Sequence, residues 1–250
     1  SLFDHEARQF KFDVLREVSK RSFEGKLNED TCDEVANLLI PGKRADFRCC
    51  IYKEKEIIRQ RTRMAMGKPP VPVEHENKRQ IVRVIDAACD GCSIHKIQVT
   101  DNCRKCMAKA CLSACKFDAI HMGNDHAFID YDKCKECGAC KNACPFNAIV
   151  ETQRPCMKSC PVDAISMGES GLAEIDEEKC INCGACQAKC PFGAIEDMSW
   201  MVDVIEELKK GTEMYAIFAP AMQGQFDNAT LPQVMEGIRQ LGFRDVYEAA

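Results

Sequence analysis

The sequence lacks most features that would assign a chemistry or a location at once. No run of eighteen apolar residues occurs in its 250 residues, so no helix is expected to span a membrane. No signal peptide opens it, since Ser1 to Lys20 is charged throughout. Basic charge is not in excess: 34 Lys and Arg stand against 39 Asp and Glu, for a net charge of −5. Neither a nucleic-acid nor a membrane partner is therefore expected. A Rossmann glycine run, a P-loop and a catalytic-triad pattern are all missing. Position 1 is Ser and not Met, which fits a processed protein or a fragment.

What the sequence has in abundance is cysteine, nineteen in all. In a short secreted chain that count reads as a disulfide framework. Here the chain is long, its start carries no export signal, and the spacings are those of metal sites. Thiolate ligands need a reducing compartment, so the cytoplasm is expected. Fourteen cysteines lie between Cys103 and Ile195. Two segments there read alike: Cys134, Cys137, Cys140, Cys144 with Pro145, and Cys180, Cys183, Cys186, Cys190 with Pro191. Each is C-x2-C-x2-C-x3-C-P, which resembles the bacterial ferredoxin run around a cubane 4Fe–4S cluster. In that run three close thiolates hold one cluster and the fourth reaches to a neighbouring one.

Upstream, residues 1–72 are expected to be helical, closed by the stiff Pro69 to Pro72 linker. Phe3, Phe10, Val14 and Val18 share one helical stripe. Thr31-Cys-Asp-Glu34 has the pattern of a capping box, and Pro41-Gly42 is a stop. Lys43 to Lys68 carries nine basic and three acidic side chains; it is expected as a solvated helix face, with docking to an acidic partner or another domain as the alternative. Cys32, Cys49 and Cys50 lack metal spacing and are expected as buried thiols. Ile81–Ile85 and residues 94–101 alternate like strands.

One phrase recurs four times after a cysteine: Lys116-Phe-Asp-Ala-Ile120, Pro145-Phe-Asn-Ala-Ile149, Pro161-Val-Asp-Ala-Ile165 and Pro191-Phe-Gly-Ala-Ile195. Short apolar strands ending in acid precede three of the cysteine runs, at Val99 with Asp101, Ile129 with Asp130, and Ile175 with Asp176. Strand, cysteine loop, short helix and Ala-Ile strand is half of a ferredoxin. Four half-units imply two such modules in tandem. Beyond Ile195, a helix to Lys210, a strand at 214–219, a helix at 232–241 and a strand at 243–247 begin an α/β domain. The expected class is α+β: a helical region with Pro linker over 1–72, a multi-cluster ferredoxin-like region over 73–197, and an α/β beginning over 198–250.

The remaining cysteines complete a set. Cys103, Cys106, Cys111 and Cys115 make the same run with two extra residues and no proline. That variant resembles a motif in ferredoxin-like subunits of molybdopterin oxidoreductases. Cys156 and Cys160 form a half-run without its CxxC, and Cys89 and Cys92 a CxxC without its half-run. The total is sixteen, which matches four clusters with four ligands each. Two pairings fit. In one, adjacent half-units pair: Cys103, Cys106, Cys111 with Cys144; Cys134, Cys137, Cys140 with Cys115; Cys180, Cys183, Cys186 with Cys160; and Cys89, Cys92, Cys156 with Cys190. In the other, the two complete runs exchange Cys144 and Cys190 directly. The Ala-Ile order favours the first. Zinc normally takes two separated CxxC pairs, so 4Fe–4S clusters fit the complete runs better. His95, His121 and His126 lie near the motifs and are expected in surface or packing roles.

Tyr215-Ala-Ile-Phe-Ala-Pro220-Ala221, then Gly237 to Phe243 with its Leu241-Gly-Phe, then Asp245 to Glu248, resembles the entrance to the catalytic domain of iron–iron hydrogenases. The cysteine-rich region, and Arg48-Cys-Cys-Ile-Tyr-Lys53, resemble the monomeric, many-cluster branch. The resemblance implies an electron-transfer role, a soluble partner such as a ferredoxin, and a catalytic H-cluster domain outside this chain. The family's Thr-Ser-Cys-Cys-Pro, Met-Pro-Cys and Cys-x-Gly-Gly-Cys motifs do not occur here. This chain alone is therefore expected neither to make nor to split H2, and no catalytic residue is assigned. A stand-alone polyferredoxin serving another oxidoreductase, and a non-redox metal-binding interaction module, are the alternatives.

Overall fold

The computed structural model describes residues 6–73, 80–90, 92, 95–222, 224–226 and 228–249. In chain order the elements are α1 (Glu6–Phe23), α2 (Thr31–Leu39), α3 (Ile51–Ala65), β1 (Val82–Val84), β2 (Ile97–Val99), α4 (Ala110–Ala114), β3 (Ile120–Met122), β4 (Ala127–Ile129), α5 (Ala139–Ala143), β5 (Ile149–Glu151), α6 (Pro155–Ser159), β6 (Ile165–Met167), β7 (Ala173–Ile175), α7 (Ala185–Lys189), β8 (Ile195–Asp197), α8 (Met201–Lys209), β9 (Tyr215–Phe218), α9 (Leu231–Gln240) and β10 (Asp245–Glu248). The chain divides into two compact units, residues 1–87 with 196–250, and residues 88–195.

The first unit is built on a helical core. Val14 and Val18 of α1, Val35 and Ala36 of α2, and Ile58 and Ala65 of α3 form one buried cluster, with Met201 and Val202 of α8 against it. Phe10 joins it as its stripe implies, while Phe3 lies outside the described residues. Thr31 is not a capping residue. Helix α2 begins at Thr31 with Asp30 as N-cap, and the buried Thr31 hydroxyl accepts the Asn28 N–H at 2.9 Å. The true capping box opens α9, where Thr230 N–H donates to Gln233 Oε1 at 2.8 Å.

The basic stretch is a solvated face only in part: Lys43, Arg44 and Lys68 are exposed, but one side of α3 is packed. Glu54, Ile57, Ile58, Arg61, Thr62 and Met64 of α3 are all buried. Glu54 Oε1 accepts three backbone N–H groups, from Asp46, Phe47 and Arg48, at 2.7, 2.6 and 2.8 Å. Arg61 pairs with Glu196, both almost fully buried, and Lys11 reaches Asp197 at 2.5 Å. Burial pushes the Glu196 carboxyl up, and the Arg61 charge opposes that shift. The residues read as a linker are packed too: Pro69 and Pro70 are buried, and Arg63 Nε donates to Pro69 O at 2.9 Å. Strands β1 and β8 form a two-stranded ladder, and Met198 N–H extends it to Ile81 O at 2.8 Å. Strands β9 and β10 pair in parallel across α9, so the C-terminal βαβ unit is present.

The second unit repeats one pattern. Antiparallel pairs join β2 to β5, β3 to β4, and β6 to β7. Between them sit four helices of five residues, α4, α5, α6 and α7. The ends of the segment 95–152 meet, with Thr152 N–H on Lys96 O at 2.7 Å. Lys96 and Lys141 flank Glu151 at 2.8 and 2.7 Å and hold its carboxyl down to about 2. His95 stacks on Tyr131 with ring centres 3.5 Å apart, and His121 packs on Phe128. Among the described residues no helix is long and apolar enough to cross a membrane.

Glu196→Leu is expected to destabilise the protein by about 3–5 kcal/mol, because it strands a buried guanidinium. The double variant Arg61→Met/Glu196→Leu is expected to recover most of that loss. Anaerobic urea unfolding followed by helical circular dichroism measures both.

Candidate metal centres

Each five-residue helix carries one cysteine in its first turn and is capped by another. Cys111, Cys140, Cys156 and Cys186 are the second residues of α4, α5, α6 and α7 and are all buried. Cys115, Cys144, Cys160 and Cys190 follow as C-caps in extended conformation. The chain turns away at that cap, so the closing cysteine leaves its own helix's side.

The repeated Ala-Ile phrase then has a physical reason. Ala119, Ala148, Ala164 and Ala194 donate their N–H groups to Sγ of Cys115, Cys144, Cys160 and Cys190, at 3.4, 3.4, 3.2 and 3.3 Å. That bond requires a left-handed residue just before the alanine. Asp118, Asn147, Asp163 and Gly193 supply it, with φ of 48°, 51°, 49° and 58°. Asn, Asp and Gly are the residue types that tolerate this region best. The four alanines and the following isoleucines are buried. The acids that end the preceding strands also find a role. Asp130 and Asp176 side chains accept backbone N–H groups of Asp132 and Glu178 at 3.1 Å, closing Asx turns that lead into the cysteine loops.

Two cavities follow from this geometry. One is lined by Cys103, Cys106, Cys111 and Cys144, with Ala148 and Ile149 at its wall. The other is lined by Cys115, Cys134, Cys137 and Cys140, with Ala119 and Ile120. Adjacent half-units thus exchange their closing cysteines. Cys190, Cys89 and Cys92 adjoin Cys156, whose thiol is pushed up to about 11, by burial first and then by these neighbours. The Cys186 thiol is raised by burial, with Cys180 and Cys183 beside it. Cys160 ends α6 as Cys115 ends α4. Cys144 and Cys190 belong to different groups, so the direct exchange between the two complete runs is not what the fold builds.

The grouping of Cys89 and Cys92 with Cys156 and Cys190 is the one the Ala-Ile order favours, and it entails an arrangement other than the expected tandem. The modules are nested and not in tandem: the first, with strands β2 to β5, is inserted between Cys92 and Cys156 of the second. Ala173 N–H donates to Cys89 Sγ at 3.3 Å, as Ala127 N–H does to Cys103 Sγ at 3.4 Å, so Cys89 occupies the first-ligand position of its half-unit. Of the three cysteines expected as buried thiols, Cys49 is exposed, with its Sγ 4.0 Å from that of Cys50, while Cys32 and Cys50 are half-buried.

Among the described residues no three His, Cys, Asp or Glu side chains converge on a point that one ion fills. Zinc draws its thiolates in to about 2.3 Å. Cysteines set around a pocket and not drawn in to one point suit a multi-atom cluster instead. The raised thiols lose their protons outright to a metal.

Residues 127–150 match the model of the 4Fe-4S binding domain, and residues 150–201 that of the LdpA Fe-S cluster-binding domain. This defines a carrier of thiolate-bound 4Fe–4S clusters. A ferredoxin of Alicyclobacillus acidocaldarius subsp. acidocaldarius is 42% identical over 55 residues, which are 22% of this chain and 70% of that protein. The chain belongs to the ferredoxin family. A 7Fe ferredoxin of Hydrogenibacillus schlegelii is 41% identical over 20% of this chain and 65% of its own length. Ferredoxin-1 of Caulobacter vibrioides is 37% identical over 20% of this chain and 45% of its own. The protein holds multiple 4Fe–4S clusters, and its ferredoxin-type domains transfer electrons through them.

The exchange of closing cysteines is testable by iron counting. Cys103→Ser and Cys144→Ser are each expected to remove about four irons, and the double variant also about four. Cys134→Ser combined with Cys144→Ser is expected to remove about eight. A loss of only four in that second pair means that each run keeps its own fourth cysteine.

Proposed function

We propose that the chain is a relay of four 4Fe–4S clusters and forms the electron-transfer portion of a monomeric iron–iron hydrogenase. The observation that carries the relay is the pair of four-cysteine cavities with exchanged closing cysteines. In this reading Cys103, Cys106, Cys111 and Cys144 hold one cluster, and Cys134, Cys137, Cys140 and Cys115 its neighbour. Cys180, Cys183, Cys186 and Cys160 hold the third. Cys89, Cys92, Cys156 and Cys190 hold the fourth. When bound, each cluster supplies a site that gains or gives up one electron. The chain's own part is to fix that site's ligands and electrostatics. Backbone N–H groups aimed at sulfur favour the more negative, reduced state, and the buried isoleucines exclude water.

The hydrogenase assignment rests on the Ala219-Pro220-Ala221 and Leu241-Gly242-Phe243 segments and on the parallel βαβ unit that carries them. Electrons would pass between a soluble ferredoxin-like partner in the cytoplasm and an H-cluster domain outside this chain. The relatives found are themselves ferredoxins, which favours a second reading, a polyferredoxin or electron-transfer subunit of another oxidoreductase.

Anaerobically prepared protein is expected to contain about sixteen irons and as many acid-labile sulfides per chain. About eight irons overturns the four-cluster relay, and zinc in their place overturns redox function. Coding sequence past Ala250 is expected to encode the Thr-Ser-Cys-Cys-Pro, Met-Pro-Cys and Cys-x-Gly-Gly-Cys motifs. A reading frame that stops at Ala250 overturns the hydrogenase assignment and leaves the polyferredoxin.

A further inference from the structure

The four cysteine groups do not share one electrostatic setting. Sγ of Cys103, Cys115, Cys144, Cys160 and Cys190 accepts from backbone N–H groups, which carry no net charge. Cys89 accepts from the Ala173 N–H and also faces a full positive charge: Arg154 Nη1 stands 3.8 Å from its Sγ. Arg154 is 6% exposed, and its Nη2 is anchored on Gly171 O at 2.7 Å. The guanidinium is thus held in place and shielded from water.

The position of Arg154 follows from the nesting of the modules. It is the residue before α6. Before α4, α5 and α7 stand Lys109, Gly138 and Gly184, all left-handed, because there the chain arrives from its own CxxC loop. Before α6 the chain arrives from the inserted module instead, and Arg154 is extended, with φ −57° and ψ 134°. Positive charge also lines the cavity of Cys103, from Arg104 and Lys105, but both side chains are exposed. Water and salt screen such charges, whereas a buried one acts at a far lower effective dielectric.

We infer that Arg154 is a potential-setting residue, which raises the reduction potential of the cluster on Cys89, Cys92, Cys156 and Cys190. Reduction adds a negative charge to the site, and a buried cation beside a ligand sulfur favours the reduced form. An added electron is therefore held more tightly at this site than it would be without Arg154. The inference rests on the four-cluster reading.

The test is a potentiometric titration of the intact, cluster-loaded protein, followed by electron paramagnetic resonance. Arg154→Gln is expected to hold about sixteen irons and to lower one of the four couples by about tenfold in its reduction equilibrium, about 59 mV for one electron. The other three couples stay in place. Arg154→Lys keeps the charge without the fork and is expected to fall between wild type and Arg154→Gln. Sixteen irons with all four potentials unchanged in Arg154→Gln overturns the inference alone. Loss of about four irons in both variants also overturns it, and makes Arg154 a scaffold residue. About twelve irons in the wild type overturns the four-cluster reading and the inference together.

Discussion

Everything in the cysteine-rich unit depends on one constraint of local geometry. A five-residue helix carries one cysteine in its first turn and is capped by another, and the chain turns out of the helix at the second. Cys111 and Cys115 consequently line different cavities, as do Cys140 and Cys144. A half-unit on its own has three cysteines for one centre and a fourth for a centre it cannot build. Only pairs of half-units are complete. That is why α4 packs with α5 and α6 with α7, and why the repeat number is even.

The same turn sets the electrostatics. The left-handed residue after each closing cysteine aims an alanine N–H at the sulfur. A side chain larger than alanine there would meet the cavity wall, and a smaller residue would loosen the turn. The isoleucine that follows starts the strand that covers the site. Three consecutive residues thus fix the sulfur's hydrogen bond, its packing distance and its isolation from solvent. These are the terms by which a protein sets the potential of a thiolate-bound cluster.

The parts of this arrangement that repeat could be read from residue order. The four Ala-Ile phrases, the two complete runs and the sum of sixteen cysteines pointed to paired half-units and to the groups the fold assembles. The Asp, Asn, Asp and Gly before each alanine are the residue types that favour the left-handed turn found there. Lys105, Lys109 and Glu136 adopt positive φ although their residue types do not favour it; they occupy the loop positions where other half-units carry Asn182, Gly138 and Gly184. Arg61 is a different case. Its partner Glu196 lies 135 residues away, so a local window shows only a basic stretch. Thr31 matched a capping pattern, but the helix starts one residue early and its hydroxyl turns to Asn28 instead. The grouping of Cys89 and Cys92 with Cys156 and Cys190 is legible from a CxxC without its half-run and a half-run without its CxxC, and nesting is what that grouping entails.

The meeting of Lys96 with Thr152 has a consequence for biogenesis. A folded insert with adjacent ends adds little to the entropy of closing the loop between Cys92 and Cys156, since the loop that remains is short. Synthesis runs from the N-terminus, and domains tend to fold as units as they emerge. The inserted module has all eight of its cysteines before Cys156 is translated. The outer module's first two cysteines must wait, unpaired, until the inner one has closed. In the four-cluster reading, chain order makes the inner centres' cysteines available first and those of the site beside Arg154 last.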